Sequence, residues 1–306
     1  MERLPFDRPG HFYRGNVHTH TNSSDGLLPP AEVVARYREA GYDFVALTDH
    51  LLARYGWQQT DATHLSDDAF TVVRGAELHG PGLTGPGLTG PGEGLWHVVA
   101  VGLPEGFSPN SDGETGQELA RRAVAAGAWV GAAHPAWYGA TAADIASLGP
   151  IHAVEVYNAA CAELNDRGDS FAVYQDLLAA NVRLDLFVSD DTHFNGHDDS
   201  FKAWVMVKSA TRAADDLVAS LKAGNYYSST GPRILDVARS GSRLTVRCTP
   251  VDRVYLTGVG ARAKRVAGVA LSEVDLEVAN VVGTMVRVTI VDRGGARAWT
   301  NPFLIE

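Results

Sequence analysis

Short apolar runs that stop at a histidine or an acidic residue recur through the first 230 residues of the chain. Phe44 to Leu47 stops at Thr48-Asp49-His50, and Trp129 to Ala133 meets His134-Pro135. An α/β barrel carries its chemistry on the loops that follow its strands, where such polar turns lie. The pattern therefore predicts that side chains distant in sequence meet at one rim. Nine side chains that favour metal binding are spread over this region, most of them at such positions: His18, His20, Asp25, His50, Glu77, His97, His134, Asp191 and His193.

Helix-like segments separate the apolar runs. Pro29 and Pro30 open one helix in its first turn, where a missing N–H costs nothing, and Gly41 ends it. Glu118 to Ala126 and Phe171 to Ala180 are two further predicted helices. Strands that alternate with helices predict a parallel sheet, open or closed. The 306 residues leave room for a barrel of typical size, about 250 residues.

The pattern changes after Gly231-Pro232. Leu244, Val246 and Cys248 alternate with polar residues, helix signals vanish and glycine turns recur. We therefore predict two domains: a barrel over residues 1–232 and a small all-β, β-sandwich-like unit over residues 233–306.

Charge and composition exclude several classes of function. The formal net charge is −10 and Lys and Arg form no cluster, which argues against a surface for long nucleic acids. Cys161 and Cys248 are the two cysteines, so a disulfide framework is not expected. The sequence begins without an apolar signal core, and no apolar run reaches the roughly 18 residues of a membrane span. We expect a soluble, cytoplasmic protein that acts on a small molecule and does not engage a membrane; the sequence gives no oligomeric state.

The nine side chains suit a cluster of metal ions. His18-x-His20 places two imidazoles on one face of an extended chain, and Asp191-x-His193 repeats that spacing with a carboxylate first. Six imidazoles and three carboxylates can hold two or three divalent cations. Mixed nitrogen and oxygen ligation suits Mn, Fe, Zn or Co, and no cysteine stands among the nine.

The sequence around these side chains also resembles a known superfamily. The motifs are His18-Thr-His20, Asp25-Gly26, Thr48-Asp49-His50, Gly75-Ala-Glu77, Trp96-His97, Ala133-His134-Pro135 and Asp191-Thr-His193. They resemble those of the PHP (polymerase and histidinol phosphatase) superfamily over about residues 12 to 230. The resemblance implies an α/β fold, a distorted (β/α)7 barrel, with up to three metals held by all nine side chains. It also implies the usual reaction of that superfamily, phosphoester hydrolysis.

The resemblance further implies how the ligands group. One metal is assigned to His18, His20, Glu77 and Asp191, a second to Glu77, His97 and His134, and a third to Asp25, His50 and His193. Glu77 is then the bridging carboxylate. Two metals roughly 3.5–4 Å apart can share a hydroxide, lower its pKa and aim it at phosphorus or a carbonyl carbon. We accordingly assign Glu77, Asp191 and His193 to the catalytic centre.

Other residues near the motifs are candidates for contact with substrate. Trp137 and Tyr138 could stack on a base or an aryl ring, and His79 and Lys202 could bind phosphate or protonate a leaving group. Asn158 ends a predicted strand on the same rim. Asp49 could orient a ligand through a hydrogen bond. The repeat Pro81-Gly-Leu-Thr-Gly85, Pro86-Gly-Leu-Thr-Gly90 joins Glu77 to His97, which predicts a surface loop or a lid.

Three functions remain open from the sequence. The first is a metal-dependent phosphoesterase acting on a phosphomonoester or nucleotide. The second keeps the metals but cleaves a carbon ester or carbamate. Residues 228–232 and 298–302 resemble a narrower branch that carries a C-terminal β-unit and includes carbamate-ester metallohydrolases. The third is a non-catalytic binding domain that metals only stabilise.

Overall fold

The computed structural model describes residues 4–83, 94–108 and 113–306. Its strands are β1 (His11–Asn16), β2 (Phe44–Leu47), β3 (His50–Leu51), β4 (Thr71–Pro81), β5 (Leu95–Val101), β6 (Trp129–Ala132), β7 (Ala153–Asn158), β8 (Asp185–Ser189), β9 (Trp204–Ser209), β10 (Tyr226–Ser229), β11 (Ile234–Ser240), β12 (Arg243–Gly258), β13 (Ala263–Glu277), β14 (Met285–Val291), β15 (Arg297–Thr300) and β16 (Phe303–Leu304). Its helices are α1 (Pro30–Glu39), α2 (Gly116–Ala125), α3 (Pro135–Tyr138), α4 (Ala142–Ser147), α5 (Ala159–Asn165), α6 (Phe171–Ala179) and α7 (Ala214–Lys222).

The strands form one mixed sheet in the order β11-β12-β14-β15-β10-β9-β1-β2-β4-β5-β6-β7-β8. Strands β1, β2 and β4 are parallel, and so are β6, β7 and β8. Strand β5 lies between these two groups and is antiparallel to both of its neighbours. Because two reversals restore the direction, β4 and β6 point the same way. The carboxyl ends of both parallel groups therefore lie at one rim.

The predicted closed (β/α)7 barrel is not confirmed, because the sheet is not closed. Strand β8 ends the order, and side chains rather than a backbone ladder connect it to β10. Asn301 Oδ1 accepts a hydrogen bond from the Leu186 amide at 3.0 Å, while its Nδ2 donates to the Gly224 and Tyr226 carbonyls at 3.2 and 3.1 Å. Beyond the strand ends, the Asp191 amide donates to the His18 carbonyl at 3.0 Å. The part of the prediction that is confirmed is the coarser one: the fold is mixed α/β with a large sheet.

The helices cover the sheet with apolar faces. Helix α1 begins at Pro30, as the proline pair predicts, and buries Val33, Val34 and Tyr37. Helix α2 begins at a capping box in which Thr115 and Glu118 exchange hydrogen bonds. Helices α2, α4 and α6 pack with β5 to β8 into the largest buried apolar cluster. None of the helices in the described ranges is long and apolar enough to cross a membrane.

The C-terminal strands have the alternation read from the sequence. Leu244, Val246 and Cys248 of β12 point into a second apolar cluster, which Val288 and Ile290 of β14 complete. Strand β15 pairs with both β14 and β10, so the antiparallel strands continue directly from the sheet that carries the rim. The division into units 1–232 and 233–306 stays a prediction.

Candidate metal centre

The described structure brings all nine predicted ligands to the same rim. His18 and His20 follow β1, His134 follows β6, and Asp191 follows β8. His50 belongs to the short strand β3 and lies beside Glu77 in the parallel register with β4. Residues far apart in sequence are therefore held together by parallel strands that end at one edge, as the sequence pattern predicts.

Besides His50, two of the nine lie within strands rather than after them. Glu77 is in the middle of the eleven-residue strand β4, and His97 is near the beginning of β5. The antiparallel direction of β5 explains the position of His97, because the start of an antiparallel strand reaches the edge where its parallel neighbours end. Glu77 reaches the same edge because β4 continues beyond its pairing with β2 to pair with β3. His97 pairs in register with His79, which lies two residues after Glu77 on the same face of β4.

The Glu77 carboxylate lies at the centre of the cluster. Its Oε1 is 2.7 Å from His97 Nδ1 and 3.4 Å from His134 Nε2. Its Oε2 is 2.7 Å from His50 Nδ1. The Nε2 atoms of His18 and His20 lie 3.6 and 3.5 Å from the same Oε2. With His79 Nε2 at 3.9 Å from Oε2, the carboxylate faces six imidazoles. Its bridging role stays a prediction.

Two further carboxylates extend the cluster on either side. Asp191 Oδ1 is 3.1 Å from His18 Nε2 and 2.9 Å from His20 Nε2. Asp25 Oδ2 is 3.2 Å from His50 Nε2, and Asp25 Oδ1 is 3.4 Å from His193 Nε2. The potential ligand atoms fall into groups whose members all lie within 4.8 Å of one another: His18 with His20 and Asp191; His18 with Glu77 and His134; His20 with Asp25, His50 and His193; and His50 with Glu77 and His79. The grouping proposed from the sequence stays a prediction. In the described geometry His20 joins the Asp25 group, His79 lies beside Glu77, and His18 rather than His97 groups with Glu77 and His134.

The buried polar atoms of this cluster fit divalent cations. Several buried atoms have close imidazole–carboxylate contacts but form no hydrogen bond of suitable geometry in the described part of the chain: His18 Nε2, both ring nitrogens of His20, Glu77 Oε2 and Asp191 Oδ1. Leaving such atoms unsatisfied costs about 1–3 kcal/mol each, and several of them converge at 2.9–3.6 Å. Nitrogen and oxygen lone pairs that point at one space in this way are suited to bind a metal ion. His134 and Asp191 also have positive φ angles of 24° and 52°, which place strain at the ligands themselves.

Without ions, the imidazoles and carboxylates perturb one another's protonation. Burial by itself would lower the pKa of His50, but the Glu77 and Asp25 carboxylates outweigh it and raise that pKa to about 10. Burial likewise opposes the shift of His18, whose pKa Asp191 and Glu155 raise well above the usual value. The pKa of Glu77 is held well below its usual value, against burial, by His50 and His97. His20 differs, because burial and two neighbouring imidazoles lower its pKa to about 4.

Glu155 is a functional residue that the sequence reasoning did not commit to. It is fully buried, and its Oε1 accepts hydrogen bonds from His18 Nδ1 at 3.3 Å and from the Ser189 hydroxyl. Its Oε2 accepts from the His134 amide at 2.7 Å and from Asn158 Nδ2 at 3.0 Å. A carboxylate on Nδ1 leaves the Nε2 lone pair of His18 free for a cation. The signal in the sequence was an acidic residue inside the apolar run Ala153–Tyr157.

Asp49, which the sequence suggested as an orienting acceptor, holds a loop. Its carboxylate accepts hydrogen bonds from the Thr21 amide and hydroxyl at 2.7 and 2.8 Å, and from the Ser24 and Thr60 hydroxyls at 2.7 Å each. The loop carries Asp25, so Asp49 positions that carboxylate through the backbone. It does so without a hydrogen bond to the His50 ring among the described contacts.

A cavity of about 470 Å³ opens over the cluster, a size that suits a small molecule. Trp137 and His79 line it, as predicted. Tyr138 and Asn158 do not belong to the described lining: the Tyr138 hydroxyl donates to the Ala133 carbonyl, and Asn158 Nδ2 donates to Asp191 Oδ2 at 3.0 Å. Asn158 therefore orients a predicted ligand and is not placed to contact substrate.

Lys202 is placed elsewhere as well. Its amine pairs with Asp198 at 2.7 Å, outside the described lining of the cavity. The cation that does line the cavity is Arg54, whose Nη2 lies 3.8 Å from Asp25 Oδ2. Arg54 could not be identified from the sequence, because it lies after β3 in a short 3₁₀ turn, Ala53–Tyr55, and at no strand end. Most of the Pro-Gly-Leu-Thr repeat lies outside the described residues, so its role as a loop or lid stays a prediction.

Comparisons with known proteins place the fold. No protein-family model matches the sequence, and no curated protein matches it. A crystal structure from Bacteroides vulgatus, of a two-domain protein containing a predicted PHP-like metal-dependent phosphoesterase, matches over 99% of both chains with a TM-score of 0.50 and 16% identity. An amidohydrolase from Chromobacterium violaceum, solved with bound sulfate and no metal, matches 60% of this chain and 89% of its own at a TM-score of 0.41 and 16% identity, too remote to support an argument. The chain thus has the fold of the PHP-like protein from Bacteroides, and the resemblance read from its motifs is confirmed at the level of the fold.

Proposed function

We propose that the protein is a metal-dependent hydrolase, and more specifically a phosphoesterase that acts on a small phosphorylated molecule. One observation carries the proposal. Nine side chains from separate loops and strands meet at one rim with Glu77 at the centre, and several of their buried polar atoms form no hydrogen bond within the described chain. Two or three divalent ions, of Mn, Fe, Zn or Co, would satisfy those atoms.

The residues of the chain have distinct roles in this proposal. Bound cations would supply Lewis acidity and make water a better nucleophile near pH 7. Glu77 faces imidazoles on both sides and would connect neighbouring ions, while Asp191 would hold the ion at His18 and His20. His193 and Asp25 would complete the side of the cluster that opens to the cavity. In the reaction, water oxygen bonds to phosphorus, the ester P–O bond breaks, and the leaving oxygen keeps its electron pair and takes up a proton.

Arg54 favours a phosphorylated substrate. Its guanidinium lines the cavity beside Asp25, and 63% of its side chain is exposed, so it is free to turn towards a ligand. A guanidinium recognises phosphate oxygens through two parallel hydrogen bonds. The fixed cation thus lies next to the ions that would bind the same phosphate.

A second function has one observation in its favour. Much of the cavity wall is apolar, and Arg54 is the one Lys or Arg in its described lining. A carbon ester or carbamate, which carries little charge, would suit that wall with the same metals. This candidate differs from the first in the atom attacked, carbon rather than phosphorus.

The test combines elemental analysis with a substrate panel. The purified protein should contain at least two divalent ions per chain, and chelation should abolish hydrolysis that the same ions restore. The panel should contrast phosphomonoesters, nucleotide bisphosphates and aryl carbamates. Activity on the phosphoesters supports the first candidate. Activity restricted to carbamates contradicts it and supports the second candidate. A protein that neither binds ions nor cleaves any panel member contradicts both.

A further inference from the structure

The cavity over the metal-binding cluster has two chemically different ends. Asp25, His50 and Arg54 lie at one end, which is charged. The other end is next to His97 and His134, where Trp137 lies with ring centroids 5.2 and 5.4 Å from the two imidazoles. Glu77 contacts His50 and His97 at 2.7 Å each, so it lies between the ends. A ligand that spans the cavity must therefore be polar at one end and apolar at the other.

One face of helix α5 forms much of the apolar wall. Ala160, Cys161 and Leu164 all line the cavity, and Leu164 lies four residues after Ala160 and three after Cys161, so it neighbours both on the helix surface. Cys161 is buried, and burial raises its pKa to well above the usual thiol value, so the neutral thiol acts as a small apolar group. Leu52, which follows β3, and Leu95, the first residue of β5, add further apolar surface to the cavity.

This wall is fixed relative to the predicted ligands. Asn158 caps α5 by accepting a hydrogen bond from the Cys161 amide at 2.8 Å, and its Nδ2 donates to Asp191 Oδ2. One side chain thus connects the start of the apolar helix to the metal-binding cluster. The carbonyl of Trp137 in α3 accepts a hydrogen bond from Arg167 Nη1 at 3.1 Å. This bond connects α3 to the segment that follows α5.

Large apolar side chains are nevertheless open to solvent here. Trp137 is 42% exposed and Leu164 is 53% exposed, and both line the cavity. Single exposed apolar residues are ordinary, but two that face one cavity beside a cluster of ligands form a surface that a ligand can cover. An indole offers a flat face on which an aromatic ring stacks.

We propose that this surface binds a flat apolar leaving group, so that the substrate is an aryl ester of phosphoric acid. The inference rests on the proposed function and adds to it. The phosphate would lie over Glu77 with Arg54 at its charged end, and the aryl ring would lie between Trp137 and α5. Water adds to phosphorus, the bond from phosphorus to the aryl oxygen breaks, and the phenol leaves with the proton that water loses.

The experiment compares two esters whose leaving groups have similar acidity but different apolar area, phenyl phosphate and 2-naphthyl phosphate. With the full chain loaded with metal, KM should be about 10-fold lower for the naphthyl ester, because a further apolar ring is buried. Trp137→Ala and Leu164→Ser should each remove most of that preference, about 3- to 10-fold, and leave phenyl phosphate less affected. Matched controls are Trp57→Ala and Leu235→Ser, since Trp57 is 39% exposed and Leu235 53%, and both lie outside the described lining.

A binding measurement keeps the inference separate from the proposed hydrolysis. The Kd of 2-naphthylphosphonate, which has no ester bond to break, should rise in the Trp137→Ala and Leu164→Ser variants by the same factors as KM. Equal KM values for the two esters, or equal effects of Trp137→Ala and Trp57→Ala, would overturn the inference while the phosphoesterase stands. Failure of both phosphonate binding and hydrolysis in a metal-loaded protein would overturn the inference and the proposed function together.

Discussion

Replacing Glu155 with glutamine tests whether the rim is built to present lone pairs to cations. Glu155 is not itself one of the predicted metal ligands. One of its oxygens accepts hydrogen bonds from His18 Nδ1 and Ser189, and the other accepts from the His134 amide and Asn158 Nδ2. Glutamine has the same shape but only one acceptor oxygen. Its NH₂ group must therefore face two donors, whichever way the amide is turned.

The two orientations of that amide have different costs. If the NH₂ group faces His18, the ring must accept at Nδ1, and its proton moves to Nε2, the atom that faces Asp191 and Glu77. If it faces His134 and Asn158, two donors meet a donor, which leaves buried groups unsatisfied at about 1–3 kcal/mol. Loss of such an orienting acceptor weakens metal binding by about 10- to 100-fold, or about 1.4–2.7 kcal/mol.

The assay is competition for Zn²⁺ or Mn²⁺ against a chelator of known affinity, with thermal unfolding of the metal-free protein measured alongside. Glu163→Gln is the matched control, because Glu163 is exposed on the neighbouring helix α5. The expected result is weaker binding by Glu155→Gln and unchanged binding by the control. A folded Glu155→Gln protein that binds the ion as tightly as the wild type would refute the argument that Glu155 sets the tautomer of His18.

Three further predictions follow from the same geometry. Glu77→Gln should lose at least one ion per chain by elemental analysis and lose hydrolysis with it, and a fully metallated, active variant would contradict the bridging role. Arg54→Ala should raise KM for a phosphomonoester about 10-fold, whereas Lys202→Ala should not, and the reverse order would exclude Arg54 as the anion-binding cation. Because the pKa of His50 is about 10 in the ion-free protein, ion binding at pH 7.5 should release at least one proton, and affinity should increase as the pH rises towards 10; the raised pKa of His18 acts in the same direction. Calorimetry in buffers of different ionisation enthalpy measures that release, and a heat independent of the buffer would rule it out.

The sequence predicted most elements of the first half because its signals are local. Apolar runs and proline or glycine boundaries mark β2, α1 and β6 almost to the residue. Strand β10 was missed because its four residues, Tyr-Tyr-Ser-Ser, look polar, although all are buried between β9 and β15. The reversed direction of β5 leaves no mark in composition, since an antiparallel strand buried on both faces reads like a parallel one.

The site was predicted as far as residue types allow. Histidines and carboxylates that end strands could be identified one by one, and the structure brings all nine together. Contacts that depend on the path of a loop could not be identified. Arg54 reaches the cavity from a 3₁₀ turn, while Lys202 turns away to Asp198. The contacts of Glu155 could not be identified either, because three of its partners, His18, His134 and Ser189, come from other parts of the chain.

Asn301 has a consequence for the order in which the molecule can mature. Its amide joins Leu186 in β8 to the backbone just before and at the start of β10, yet it follows both strands by more than seventy residues. During synthesis, the segment that leads to Asp191 therefore leaves the ribosome long before the group that ties it in place. We expect nascent chains that stop ahead of Asn301 to take up cations weakly, and a late step of chain growth to set when the proposed metal centre can first form.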